Sequence, residues 1–321
     1  MQCLLVGNYG TGNVGDEALK EYFLHAFPEI SWTVVSAHPE RRNETPRLPA
    51  GIRSFLSLSW WKTVQAYRRT DAVVFGGGTL FTDAESAYAC FLWFAHAYVA
   101  WFFKKPLLLA FQGVGPFRTW WGERWARFAV RHSSFLSVRD EASALRVKAW
   151  GLNIKIVHSF DPIFSGILGK KGDGTQKVLI IIPRHNSSDS FLELVALRGE
   201  SDWQAVRILS LQPGDRRERD LCQRLRKFLD GVPSSIIPIH TFAELLEQVS
   251  QGSLVLTQRY HGALAALMAG IPLEILPQKD GDKLSTLVPF ADGEAELSLL
   301  SRQVMEGENA LREALARVTT H

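Results

Sequence analysis

The sequence predicts an α/β protein of two doubly wound, Rossmann-like domains facing each other across a cleft. Three observations predict it. Short apolar runs that end in Gly, Pro, Asp or Arg alternate with helical patterns, the rhythm of a parallel sheet covered on both faces. That series occurs twice, separated by "GILGKKGDGTQ", Gly166 to Gln176, which is rich in glycine and charge and has no hydrophobic period. The 321 residues also suffice for two such domains, with expected bounds 1–168 and 177–321.

The first series reads "CLLV", "WTVVSA", "DAVVF", "PLLLAF", "FLSV" and "IKIV". The second reads "KVLIII", "VRILSL", "SIIPI", "SLVLT" and "LEILP", with amphipathic segments such as "FAELLEQVSQG" between. Between "DAVVF" and "PLLLAF", the nearly all-apolar Ala89 to Phe103 is shorter than the ~20 residues of a membrane span and contains His96, so a buried crossover helix is expected.

With 46% apolar and 21% charged residues, the chain is an ordinary globular one, which excludes disorder. A net charge of +3 without a Lys/Arg block predicts no nucleic-acid partner. Cys3, Cys90 and Cys222 are far apart and odd in number, so neither a disulfide framework nor a metal site is expected, and a reducing cytosol fits. The strand-like start lacks the pattern of a signal peptide.

In these domains ligands bind beyond the carboxyl ends of strands, which directs attention there. After "CLLV" comes "GNYGTGNVGDEA", with a G-x-G-x-x-G at Gly10, Gly12 and Gly15. Three residues delay its first glycine, no acidic residue ends the second strand, and Asp16 and Glu17 would repel a phosphate at the helix start. A dinucleotide is therefore rejected. Asn8, Asn13 and Asp16 suit an uncharged polyol or sugar, with helix capping as the alternative for Asp16. Gly76, Gly77 and Gly78 after "DAVVF" would let a ligand or a backbone approach closely, whereas the glycines of "AFQGVGPF" read as turn chemistry.

Arg139 follows "FLSV" and offers an anion site or a structural pair with Asp140, which otherwise caps the next helix. Arg184 and His185 end "KVLIII" in the same way. In "SLVLTQRYHGALAALMAGIPLEILP" a strand runs into Arg259, Tyr260, His261 and Gly262, and the following helix stops at Gly270 before Pro272. A helix start beside a guanidinium favours an anion, and His261 titrates where a general acid or base should.

The anchors "GNYGTGNVGDEA", "VVFGGGTLF", "FQGVGPF", "LSVRDEAS" and "RYHGALAALMAGIP" stand in the order of the polysaccharide pyruvyl transferase family, which the chain resembles over nearly its whole length. The resemblance implies a GT-B-like arrangement, phosphoenolpyruvate as donor substrate and no further cofactor. It also implies a cell-wall or capsular glycan acceptor, lipid-linked in several members. It associates Arg259 and His261 with donor and catalysis and Arg139 with a second catalytic arginine. The family tyrosine ahead of a lysine is replaced here by "LPQKDGDK", where Lys283 takes the lysine role. The donor set is then Arg259, Tyr260, His261, Gly262, Arg184 and Lys283 in the second domain. The acceptor set is Asn8, Asn13, Asp16 and Gly76 to Gly78 in the first.

"SWWKTVQAYRRT" and "RTWWGERWARFAVRH" combine aromatic and basic residues. Trp121, Trp125 and Phe128 recur at helical spacing beside Arg124, Arg127 and Arg131, as in a helix that lies on a membrane or, alternatively, one that packs on a core. The expected location is cytoplasmic, with this surface able to hold the chain at the inner face of the membrane. Two rivals stand beside the pyruvyl reading. One is a GT-B glycosyltransferase using a nucleotide sugar, since "ALMAGIP" also resembles the donor helix of such enzymes, although the Arg259 turn carries no carboxylate of its own. The other is a non-catalytic sugar or head-group binder.

Overall fold

The computed structural model describes residues 1–49, 51, 55–84, 86–164, 177–229, 231–278, 283–293 and 295–319. The segment Gly166 to Gln176, expected to link the domains, lies outside them.

The first sheet contains β1 (Gln2–Val6), β2 (Ser31–Ser36), β3 (Glu44–Pro46), β4 (Ala72–Phe81), β5 (Leu107–Val114), β6 (Phe135–Val138) and β7 (Ile156–His158). Its seven strands are parallel in the order β3-β2-β1-β4-β5-β6-β7. The apolar runs became strands because they are buried on both faces, β5 along its whole length. The sequence reading has no counterpart for β3, a three-residue edge strand "ETP" without an apolar run.

Helices α1 (Val14–Ala26), α2 (Trp61–Arg69), α3 (Ala87–Phe102), α4 (Trp120–Arg131) and α5 (Glu141–Ala149) connect these strands. As expected, α3 is a crossover helix, with Cys90, Leu92, Trp93, His96, Ala97 and Ala100 buried. Its His96 is a satisfied core residue. Nε2 accepts from the Leu48 N–H at 3.2 Å, and Nδ1 lies 2.7 Å from the Tyr67 hydroxyl. Burial, with Arg47 adding to it, pushes the ring down to about 3, so it is neutral. Trp125 and Phe128 of α4 pack on Phe94 of α3 at ring-centroid distances of 6.0 and 5.3 Å, so the core-packing alternative holds for them. Trp121 stays exposed. No helix among the described residues is long and apolar enough to cross a membrane.

The second sheet contains β8 (Val178–Ile182), β9 (Ala205–Ser210), β10 (Ser234–Pro238), β11 (Leu254–Thr257) and β12 (Leu273–Ile275). All are parallel in the order β10-β9-β8-β11-β12. Helices α6 (Asp189–Gly199), α7 (Arg216–Phe228), α8 (Phe242–Ser250) and α9 (Tyr260–Ala269) cover it, followed by α10 (Val288–Ala291) and α11 (Leu297–Thr319). As the Gly-x-Pro signal implies, α9 ends on Gly270 in the left-handed region at φ 65°.

The chain divides into two compact units, and the division departs from a single cut near residue 170. One unit holds Met1–Thr11, Leu19–Ile163 and Leu300–His321; the other holds Gly12–Ala18 and Phe164–Leu299. The expected domain 177–321 therefore loses most of α11. That helix packs on the first unit, where Glu308 accepts from the Tyr22 hydroxyl at 2.7 Å and Arg312 lies 4.4 Å from the Phe27 ring centroid. Conversely, the first turn of α1 groups with the second unit.

Candidate functional site

In each sheet the strand order reverses beside the first strand, between β1 and β4 and between β8 and β11. Such switch points are where doubly wound sheets hold ligands.

In the first unit the switch point is filled by the chain itself. Tyr9 is buried, and its hydroxyl donates to the Gly76 carbonyl at 2.7 Å. A Cβ on Gly7 or Gly76 would collide with its ring, so both glycines are required by the tyrosine. Gly10, at φ 74°, turns the loop back, and the Tyr9 carbonyl accepts from the Ala37 N–H at 2.9 Å and from Arg47 at 3.1 Å. Tyr9 thus stands where a pyrophosphate would approach.

The expectation that Gly76, Gly77 and Gly78 receive an acceptor is corrected accordingly. They lie inside β4 rather than beyond it, Gly76 under Tyr9, Leu5 and Phe23, and Gly77 and Gly78 against Leu19. Asn8 is likewise tied into the first unit, its Oδ1 accepting from Arg47 at 2.9 Å.

Arg139 is a structural cation rather than an exposed one. Its guanidinium, 3% exposed, donates to Asp161 at 2.8 Å and to Thr79 at 2.7 Å. Asp140 is not its partner, because that carboxylate caps α5 by accepting from the Ser143 N–H at 2.7 Å. Asp161 was not visible as a partner in the sequence, since it follows a different strand.

In the second unit the switch point gathers charge. The Arg259 Nε donates to the Pro183 carbonyl at 3.2 Å, and Nη2 donates to Gln212 Oε1 at 3.1 Å and to Glu218. Glu218, in the first turn of α7, has a fully buried side chain and also accepts from Ser210 at 3.0 Å and from the Gln212 N–H at 2.8 Å. Arg259 thereby joins the carboxyl ends of β8, β9 and β11. It remains 10% exposed.

His185 lies beside this cluster, with Nδ1 3.7 Å from Asp215. Burial lowers its pKa below the ordinary histidine value; Asp215 opposes this, while Arg184, Arg259 and Arg217 reinforce it. Four charged side chains therefore act on one imidazole, and three of them are cations. Arg184 sits in a turn in which its N–H donates to Ser187 Oγ at 2.9 Å.

Arg259 occupies the N-cap position of α9 without a side-chain cap hydrogen bond, as it must, because a guanidinium has donors only. Tyr260 is buried, and the Lys283 ammonium lies 5.5 Å from its ring centroid. At Gly262 packing requires the missing Cβ. A Cβ there would come within 2.7 Å of Thr257 Oγ1 and 3.0 Å of Ile182.

His261 is seated on the first turn of α1. A Cβ on Gly15 would overlap the imidazole, so the last glycine of the G-x-G-x-x-G serves the histidine and not a phosphate. Asn13 accepts from the Gly15 N–H at 3.1 Å and so caps α1, with Asp16 in the same turn. Of the expected acceptor residues, the structure brings Asn13 and Asp16 into the unit of His261 and leaves Asn8 and the β4 glycines in the other.

A model of the polysaccharide pyruvyl transferase family matches residues 13–273. The chain belongs to that family. Membership makes it a transferase acting on polysaccharide. None of the curated proteins matches its sequence. Among solved structures it is similar to the UDP-GlcNAc 2-epimerase of Neisseria meningitidis bound to UDP-GlcNAc, with a TM-score of 0.63 at 13% identity, covering 100% of both chains. It is also similar to Anabaena HepE in complex with UDP-glucose, with a TM-score of 0.58 at 14% identity, covering 100% of this chain and 96% of that one. For the sucrose-phosphate synthase of Thermosynechococcus elongatus the TM-score is 0.55 at 11% identity, covering 98% and 94%. At these identities the likeness is one of fold, of the GT-B-like α/β class with two parallel sheets.

Within this family member, Glu218, Gln212, Arg217 and Asp161 were missed from sequence. One local signal existed for Glu218. "DRRE", Asp215 to Glu218, has the spacing of a helix start with an acid three residues in. Among the described residues no group of His, Cys, Asp and Glu could hold a metal ion.

Proposed function

We propose that the chain moves pyruvate from phosphoenolpyruvate onto two hydroxyls of a cell-wall or exopolysaccharide sugar as a ketal. In this reading the second unit takes the donor, and Asn13 and Asp16 at the first turn of α1, which belongs to that unit, serve the acceptor. The observation that carries it is the cationic group Arg184, Arg217 and Arg259 around His185 at the β8–β11 switch point, beside the start of α9. Phosphoenolpyruvate is a carboxylate and a phosphate on three carbons, and such a ligand wants several fixed donors. Arg259 is held to Glu218, so it contributes a fixed direction with its charge already balanced, and Arg184, Lys283 and the α9 start supply the remaining positive potential.

In the reaction His261 delivers a proton to C3 of the enol, making a methyl group. One sugar hydroxyl bonds to C2 and gives up its proton. The C2–O bond to phosphate breaks, phosphate leaves with the electron pair, and the second hydroxyl closes the ketal, its proton leaving with phosphate. His261 moves protons throughout, and no further cofactor is needed. Arg139, paired with Asp161, acts in this scheme by holding the ends of β6 and β4. The reaction belongs in the cytoplasm, where its donor is made.

The second reading, a nucleotide-sugar donor, is favoured by the UDP-bound relatives of the same fold. Against it, Glu218, the carboxylate that meets Arg259, is held by the arginine rather than open to a donor sugar. Thermal shift of the purified protein against phosphoenolpyruvate, UDP, CMP and NAD separates the two, since ligand at 100 times its dissociation constant stabilises by about 2.7 kcal/mol. A shift with phosphoenolpyruvate alone, and phosphate release when glycan acceptors are added, is expected. A shift with UDP or CMP alone selects the glycosyltransferase, and binding without turnover selects the non-catalytic binder.

A further inference from the structure

The outer face of α3 lacks the charge that water demands of a crossover helix. From Ala87 to Phe103 there is no Asp, Glu, Lys or Arg, although only one side of the helix is buried in the core. On the other side Tyr98 and Trp101 are exposed, and Phe102 is 64% exposed. Alongside, α4 begins with Trp120, 61% exposed, stacked on Trp121 with ring centroids 3.4 Å apart. Large aromatic side chains left this open, on two helices packed together through Phe94 and Phe128, form a patch that a monomer in water does not need.

The charge around the patch has one sign. Between Ala87 and Arg131 the sequence has six basic residues and one acidic residue, Glu123, which accepts from Trp150 Nε1 at 2.7 Å. Trp120, Arg124, Arg127 and Arg131 follow one another at helical spacing on the exposed face of α4, and Lys104 closes the end of α3. By contrast α7, the most arginine-rich helix of the second unit, has a single exposed aromatic, Phe228. It is basic without being interfacial.

We propose that the α3–α4 face docks on the surface of a bilayer containing anionic lipid. Tryptophan and tyrosine favour the head-group level, and exposed arginine and lysine add attraction to anionic head groups. At 16 residues α3 is too short to span, so it lies flat, with the aromatic rings at the interface. A protein partner or a second copy would also cover aromatics, but the run of unpaired sign is complementary to lipid phosphate and repels its own copy. For a transferase acting on polysaccharide, this surface would bring the chain to the membrane that carries lipid-linked saccharides. The docking itself does not depend on which donor is used.

The test is flotation of the full chain with phosphatidylcholine vesicles, with and without phosphatidylglycerol, in the absence of donor and acceptor, so the outcome is separate from that of the pyruvyl reading. Retention is expected on the anionic vesicles alone, weakening as salt is raised. The variant Phe102→Ser/Trp120→Ser/Trp121→Ser and the variant Arg124→Glu/Arg131→Glu should each cut retention about tenfold or more. Arg224→Glu/Lys227→Glu on α7 should leave it unchanged. These side chains are exposed, so the thermal midpoint checks that each variant is folded. The proposal is overturned if the wild type does not float, if neither α3–α4 variant matters, or if the α7 variant loses as much. Concentration-dependent self-association abolished by the same α3–α4 variants would also overturn it in favour of a second copy.

Discussion

Where the first sheet reverses its strand order a tyrosine fills the space, and where the second does so arginines gather around a histidine. The backbones at the two places are alike, each a parallel strand, a turn and a helix, and both turns are rich in signals that read as ligand binding. What differs is the side chain that the turn sends back over the sheet. Tyr9 brings its own hydrogen-bond donor to the Gly76 carbonyl. Arg259 donates to Glu218 and to the Gln212 and Pro183 oxygens, and it acts on His185 together with two further cations, Arg184 and Arg217, against one carboxylate, Asp215. A glycine-rich loop is therefore no better evidence for a ligand than the residue that occupies the space its glycines leave.

The same contrast runs through the two arginines. Each sits at a strand end against a fully buried carboxylate, but Arg139 is 3% exposed and Arg259 is 10% exposed. One is built into the core, and the other reaches its edge.

The largest expected effect sharpens this contrast from the second unit. His261→Ala should lower turnover by ~100-fold to ~10,000-fold while the thermal midpoint moves little. A loss of less than about threefold would break the assignment. Next, Arg139→Ala and Arg259→Ala should each destabilise by about 3–5 kcal/mol, because each strands a buried carboxylate. Pairing the loss separates them. Arg139→Met with Asp161→Asn should regain most of the stability and retain the phosphoenolpyruvate-induced thermal shift, whereas Arg259→Met with Glu218→Gln should regain stability and lose the shift. If both double variants respond alike, the two arginines do not differ in role.

Gly15→Ala puts a methyl group where the His261 ring lies. It should improve helix propensity yet lower turnover by about 100-fold, the scale of a catalytic group misplaced by an ångström. Unchanged turnover would mean that the seat does not position the histidine. The effect confined to acid pH lies in the first unit. His96 is held neutral with its pKa lowered from 6.5 to about 3, so between these values the unfolded chain binds a proton that the native one refuses. Stability present above pH 6.5 is therefore lost as pH falls toward 3, with a slope approaching about 1.4 kcal/mol per pH unit. His96→Gln should flatten that slope in acid titrations followed by circular dichroism, and an unaltered slope would contradict the neutral buried ring.

The strands were readable because a parallel sheet covered on both faces writes each strand as a continuous apolar run, as in "KVLIII" and "PLLLAF". β3 has no such run and could not be seen. Within the site, Arg259, His261 and Arg184 were legible because a strand followed by polar residues and a helix start is a local pattern. Their partners were not. Glu218 is 41 residues from Arg259, and Asp161 is 22 from Arg139, and nothing in single-sequence periodicity pairs positions so far apart. The glycines of β4 misled for a related reason: a missing Cβ records that something comes close without saying whether it is a ligand or Leu19 and Tyr9. The return of α11 to the first unit rests on contacts of Glu308 and Arg312 that only the fold creates.

The most direct test of the contrast between the two switch points is amide hydrogen exchange with and without phosphoenolpyruvate. The account predicts added protection at Arg184–Ser188 and Thr257–Ala263, extending to the first turn of α1 through Gly15, and none at Gly7–Gly10 or Gly76–Gly78. Protection confined to the Tyr9 loop and the β4 glycines, or protection by UDP with none by phosphoenolpyruvate, would contradict it.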